Sequence, residues 1–195
     1  MTDNAVPDRA LTWQVTRTGG FETAWIRPTG PRSFSVRGRA VALLPRPHWI
    51  SYALETGPDW VTRTLNVTAE TSRHTRHLEL TRSPDGHWTA NGTALPWAGP
   101  GTLDCDLGLS PLTNSMPVLR HALHRGPGSH AFAMAWISVP DLTVHASPQT
   151  YTHTGPAPAG TRVHFASGDF ASEVEFDADG QVVSYEGLAH RLAEP

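Results

Sequence analysis

The chain has 195 residues, a formal charge of −3 and 38% hydrophobic content. No run approaches the ~20 apolar residues that a spanning helix needs, so no membrane span is expected. The mildly acidic balance argues against nucleic acid, whose binders carry a basic stripe. All 15 basic residues are arginine, which biased codon usage explains more readily than a need for bidentate donors.

The N-terminus, MTDNAVPDRALTWQV, lacks a basic region followed by an apolar stretch, so a secretory signal is not expected and the cytoplasm is the expected compartment. The lone cysteine, Cys105, forbids an internal disulfide and fits a reducing environment. The length suits one domain over residues 7–195, with residues 1–6 expected to be disordered.

Alternation with period 2 recurs along the chain and predicts half-buried β-strands. LTWQVTR (11–17) alternates around Leu11, Trp13 and Val15. Val61, Arg63, Leu65 and Val67 are predicted to share one face of the next strand. Ser83-Pro84-Asp85-Gly86 reads as a hairpin turn between LELTR and HWTA. In LDCDL, Cys105 is placed with Leu103 and Leu107, while Asp104 and Asp106 take the other face.

PVLRHALHR (117–125) breaks the pattern. Val118, Leu119, Ala122 and Leu123 form an apolar arc, and Arg120, His121, His124 and Arg125 a basic one. This predicts a short amphipathic helix of about 13 Å, with Pro117 in its first turn, Asn114 or Ser115 as cap, and Gly126-Pro127-Gly128 ending it. Strands follow at AFAMAW (131–136), LTVHA (142–146) and EVEF (173–176), with Asp177-Ala178-Asp179-Gly180 as a second hairpin turn. With 17 Gly and 17 Pro, long helices have little room, and one large antiparallel sheet, closed or rolled, is expected.

Several pieces invite a chemical reading. Cys105 is expected to be buried and inert, because its phase is apolar and no histidine stands at a motif spacing. Asp104 and Asp106, about 7 Å apart on one strand face, are expected to need a cationic partner, and Arg120 is the natural one. A hydrolase using Asp104 or Asp106 with a histidine is the enzymatic alternative. His74 with His77 and His121 with His124 are spaced i, i+3, but no third ligand, HExxH or CxxC accompanies them, so no metal is expected. No nucleophile elbow or phosphate loop occurs, and no cofactor is expected. Seven tryptophans suit a sheet core, with some lining a cavity inside a roll.

DCDLGLSPLTNSMPVLRHAL (104–123) and AMAWISVPDLTVHASPQTY (133–151) together resemble the bacterial "putative glycolipid-binding" family. The resemblance rests on Asp104, Asp106, Ser110, Pro111, Thr113, Asn114, Pro117, Trp136, Pro140, Gln149 and Tyr151. It implies a spiral β-roll, mainly β, in which a long antiparallel sheet wraps around a single short helix, often as a homodimer. The shape is similar to that of periplasmic lipoprotein carriers, which implies a lipid or glycolipid as partner. Asp104, Asp106, Asn114, Arg120, Trp136, Gln149 and Tyr151 are the candidate ligand-binding residues. Where many members carry two consecutive arginines, this chain has Leu119 and Arg120.

Three functions are therefore expected to compete: a non-enzymatic binder of an amphipathic ligand, the hydrolase, and a dimeric structural or interaction protein with no small ligand.

Overall fold

A computed structural model of the chain describes residues 9–193, so the expectation for residues 1–6 lies outside the described residues. The alternating segments form fifteen strands of one sheet. The N-terminal arm runs through β1 (Arg9–Val15), β2 (Gly20–Gly30), β3 (Ser33–Ala42), β4 (His48–Thr56), β5 (Thr62–Thr71), β6 (Thr75–Arg82), β7 (Trp88–Ala90) and β8 (Thr93–Ala94). The C-terminal arm runs through β9 (Thr102–Leu107), β10 (Ser129–Ile137), β11 (Val144–Ala157), β12 (Gly160–Ser167), β13 (Phe170–Phe176), β14 (Val182–Tyr185) and β15 (Ala189–Arg191). The arms join where β1 pairs with β15, at Trp13 and Arg191.

Neighbouring strands are antiparallel except β9 and β10, which pair in parallel. A parallel pair requires a crossover, and residues 108–128 supply it, carrying the single helix α1 (Ser115–Arg120). The helix therefore sits where the wrapping sheet can cover it. The sheet is not closed into a barrel. Its free ends meet across a seam of side chains: Arg82 Nε and Trp88 Nε1 donate to the Thr102 carbonyl at 3.0 and 2.9 Å, and Thr62 Oγ1 accepts from the Cys105 amide at 3.0 Å.

Alternation is borne out in β1, where Leu11, Trp13 and Val15 are buried, and in β13, where Val174 and Phe176 are fully buried. Both turns, at 83–86 and 177–180, close as expected through Gly86 N to Ser83 O and Gly180 N to Asp177 O. Three expectations are corrected. Arg63 is exposed while Thr62 is buried, because the register of β4 and β5 shifts from Glu55↔Thr64 to Thr56↔Thr62 and leaves Arg63 in a bulge that flips the face. Strand β11 begins at Val144 rather than 142, because Leu142 takes a left-handed φ of 56° in a turn closed onto the Ser138 carbonyl. The tryptophans divide: Trp13 and Trp88 are fully buried and bonded to carbonyls, whereas Trp25, Trp49 and Trp97 are exposed.

The helix is corrected as well. It has six residues, about 9 Å, and ends at Arg120 instead of running to Arg125. Ala122 adopts φ 52°, the Leu123 amide bonds Val118 O, and the Ala122 amide bonds Leu119 O. This is the Schellman closure, with alanine where glycine is favoured and with Leu123 and Val118 buried together. Ala122→Gly is therefore expected to stabilise the protein by about 1 kcal/mol by relieving a left-handed alanine. A rise in the thermal unfolding midpoint would show it, and an unchanged or lower midpoint would refute it. Neither Asn114 nor Ser115 caps through its side chain, since the helix follows a 3-10 turn (Leu112–Asn114).

Candidate functional site

Strand β9 is buried on both faces. Cys105 and Leu107 point to the core, at 0% and 1% exposure, and burial pushes the Cys105 thiol up to about 12. It is the inert cysteine the alternation predicted. The opposite face, which alternation alone would leave to solvent, lies under the crossover. There Asp104 is 1% exposed and is gripped by Arg120, with Nη1 at 2.7 Å and Nη2 at 2.5 Å. Burial pushes the Asp104 carboxyl up, and the guanidinium pulls against it. Arg120 Nε also donates to Asp59 O at 2.8 Å, so the pair ties helix, strand and the 57–61 turn together. Leu119 packs on the core beside Gly180.

Asp106, two residues on, has different company. It accepts from Thr113 Oγ1 at 3.0 Å and from Gln149 Nε2 at 2.7 Å. Burial raises its carboxyl above the ordinary range. Gln149 Oε1 lies 3.1 Å from the Tyr151 hydroxyl, which is also 2.8 Å from Asn114 Oδ1, so one phenolic proton serves two acceptors. Asn114 Nδ2 anchors on the carbonyls of Ser110 and Pro111. Strand, corner and β11 are thereby linked by one polar network.

That network floors an open cavity of about 400 Å3 between the crossover and the sheet. Asp106, Ser110, Asn114 and Gln149 face into it. Its walls are aromatic: Trp136, Phe165, Phe170 and Tyr185. The rings of Phe165 and Tyr185 meet edge-on at 5.9 Å. Arg17 stands at the rim with its guanidinium 5.3 Å from the Phe170 ring centre. The volume lies in the range of small-molecule sites, and a few polar groups among aromatics is the usual lining of one. A broader trough of about 940 Å3 crosses the solvent face of β2 to β6, but its polar groups are exposed ones such as Arg37, Asn66 and His77.

The predicted residues thus fall into three sets. Asp106, Asn114, Trp136 and Gln149 line the cavity. Tyr151, 1% exposed, lies behind it and holds Gln149 and Asn114 in place. Asp104 and Arg120 satisfy each other outside it. No histidine hydrogen-bonds either aspartate among the described residues, so the dyad that the hydrolase alternative requires is not assembled. The histidine pair of the crossover is split. His121 stacks on His130 at 4.0 Å between centroids, while His124 is buried with neither ring nitrogen bonded. No group of three metal-ligating side chains occurs among the described residues.

One acid escaped the sequence reading. Glu22 on β2 is 1% exposed and has no cationic partner among the described residues. Its Oε1 accepts from Tyr52 OH at 2.5 Å and from Ser110 Oγ at 2.7 Å. Desolvation raises its pKa to about 7, against those two bonds. Ser110 separates this acid from the cavity, and Gly38 leaves room for the Tyr52 ring, which a side chain there would strike. Arg17, Phe165, Phe170 and Tyr185 were also missed: they are ordinary strand and turn residues whose convergence depends on how the sheet rolls.

Fold and cavity together define a β-roll with a polar-floored, aromatic-walled hollow at one end. The chain belongs to the family described as "Putative glycolipid-binding", whose model matches residues 10–191. It is similar to the crystal structure of a DUF1089 family protein from Pseudomonas aeruginosa, at 26% identity over 88% of this chain and 92% of that one, with a TM-score of 0.72. It is also similar in fold to a beta-barrel-like protein of the DUF1849 group from Brucella abortus, at 9% identity over 94% and 93% of the two chains, with a TM-score of 0.51. No curated protein matches the chain. No helix among the described residues is long and apolar enough to cross a membrane.

Proposed function

We propose that the protein is a non-enzymatic binder of an amphipathic small molecule, a lipid or glycolipid, whose polar head enters the cavity. The observation that carries this reading is the juxtaposition of a buried polar floor, Asp106 with Gln149 and Asn114, and aromatic walls in one open hollow. Hydroxyl-rich heads pair with carboxylate and amide groups, and sugar or acyl C–H faces lie against rings. Family membership supports the same reading. Residues Trp136, Asp106, Asn114 and Gln149 would contact the ligand. Tyr151 would position the amides, and the Asp104–Arg120 pair would hold the crossover in register.

Native mass spectrometry with dodecyl maltoside below its micellar concentration, compared with dodecanoate, tests this. Retention of one maltoside per chain is expected. Gln149→Leu is expected to weaken it about tenfold, the loss of one or two hydrogen bonds to buried partners. Equal retention by wild type and variant, or none by either, would overturn the reading. The homodimer implied by the resemblance is part of the same proposal, and sedimentation across a concentration series reads it directly.

A further inference from the structure

Hydrophobic side chains on the outside of the roll are not scattered. Phe21, Val41 and Trp49 stand directly across from one another on β2, β3 and β4, and all three point to solvent. Two consecutive leucines extend this row into the turn between β3 and β4. Leu43 is 60% exposed, Leu44 58% and Trp49 68%, values at which a side chain gains almost nothing from the fold that carries it. Contiguous exposed apolar surface of this kind marks a contact with something else.

Its position says what. Strand directions place the turns at 16–19, 43–47, 138–143, 168–169 and 186–188 at one end of the roll. The Leu43 and Leu44 amides both bond the Thr18 carbonyl, and Arg46 pairs with Asp141 across to the 138–143 loop at 2.5 Å. Arg17, one residue before Thr18, is the rim of the cavity. The exposed leucines and the cavity mouth therefore share an end and are held in one rigid cluster of turns.

The chemistry fits a lipid surface better than a second folded copy. The leucines sit in the turn between β3 and β4, at the end of the roll where the cavity opens. Trp49 stands where the apolar row meets polar groups, the place tryptophan takes at a membrane interface. Arg17 and Arg39 make no ion pair among the described residues, and with Arg73 they are balanced by the exposed acids Glu70, Asp169 and Glu186 at the same end, so the tip carries no excess of charge. A neutral apolar tip with a tryptophan at its edge suits the interface of a zwitterionic bilayer.

We propose that this end of the roll docks on a lipid bilayer surface, with Leu43, Leu44 and Trp49 entering the interface and the cavity mouth facing the membrane. The proposal rests on the lipid reading of the cavity for its purpose: a ligand drawn from a bilayer enters without crossing water. Docking is itself independent of what the cavity holds.

Flotation with phosphatidylcholine vesicles, with and without phosphatidylglycerol, tests it. Wild type is expected to float with both kinds of vesicle to a similar extent, and brominated acyl chains are expected to quench Trp49. Leu43→Ser with Leu44→Ser is expected to reduce the bound fraction about tenfold or more, given the burial value of two leucines. Trp97→Ser, which removes an exposed tryptophan from the connection between β8 and β9, is expected to change nothing. Gln149→Leu is expected to float normally while losing dodecyl maltoside, which separates failure of the cavity reading from failure of docking. Absence of flotation, or flotation indifferent to the leucines, would overturn the proposal. A concentration-dependent dimer that the leucine substitutions dissolve, without vesicle binding, would assign the patch to a second copy instead.

Discussion

Replacing Arg120 with methionine is expected to lower the free energy of unfolding by about 3–5 kcal/mol, the cost of stranding a buried carboxylate. Asp104 and the Arg120 side chain are 1% and 8% exposed, so neither solvent nor salt screens the pair appreciably. The arginine also leaves the Asp59 carbonyl without its donor, and Arg32 Nη2 reaches the Arg120 carbonyl on the same turn. Asp104→Leu placed on top of Arg120→Met is expected to recover much of the loss, because replacing both partners removes the orphaned charge. Urea unfolding midpoints of wild type, single and double variants provide the check. A single variant within about 1 kcal/mol of wild type would show the pair to be dispensable, as most exposed pairs are.

The second large effect is a pH dependence from Glu22. Its carboxyl ionises near 4.5 in the ordinary state and near about 7 when folded. Between those values the folded chain holds a proton that the unfolded chain has released. Stability from this group is therefore complete below pH 4.5 and is lost as pH rises through 7. At about 1.4 kcal/mol per pH unit, the total is about 3 kcal/mol. Glu22→Gln keeps an acceptor for Tyr52 and Ser110 but cannot ionise. Relative to wild type, it is expected to gain about 3 kcal/mol between pH 4.5 and 8. Other titrating groups cancel in that difference, so a flat difference would place the Glu22 transition outside the range.

Much of the architecture was legible because period-2 patterning reports local burial directly. The strands at 11–15, 131–136 and 173–176, the two hairpin turns and a single short helix followed from it. So did an ion pair between Arg120 and one of the two acids, Asp104 or Asp106, because two acids on one strand face need a cation and a rigid one stood nearby; the structure chooses Asp104. The helix length was overstated because Leu123 continues the apolar arc whether the backbone is helical or turns back through Ala122. Arg63 was misplaced because a bulge leaves no mark in the alternation itself.

Glu22 shows where local reading stops. In β2 the apolar phase is Phe21 and Trp25, yet these face water, while Glu22 shares the inward phase with Ala24 and Ile26. Register decides it: Glu22 pairs with the fully buried Trp13 of β1, and a strand's faces follow its neighbours rather than its own hydropathy. The cavity has the same origin. Trp136, Gln149, Phe165, Phe170 and Tyr185 come from five different strands, and only the rolling of the sheet makes them converge.

By itself, then, the amino-acid sequence determined several of the strands, the single short helix after Asn114 and that its arginine answers one of two acids, because these depend on local patterning. The tertiary structure alone decided that Asp106 looks into a hollow while Asp104 does not, that an unpaired acid lies beside it, and that the leucine tip stands at the mouth. Those are relations between residues as far apart as Glu22 and Ser110, 88 positions, and no local pattern carries them.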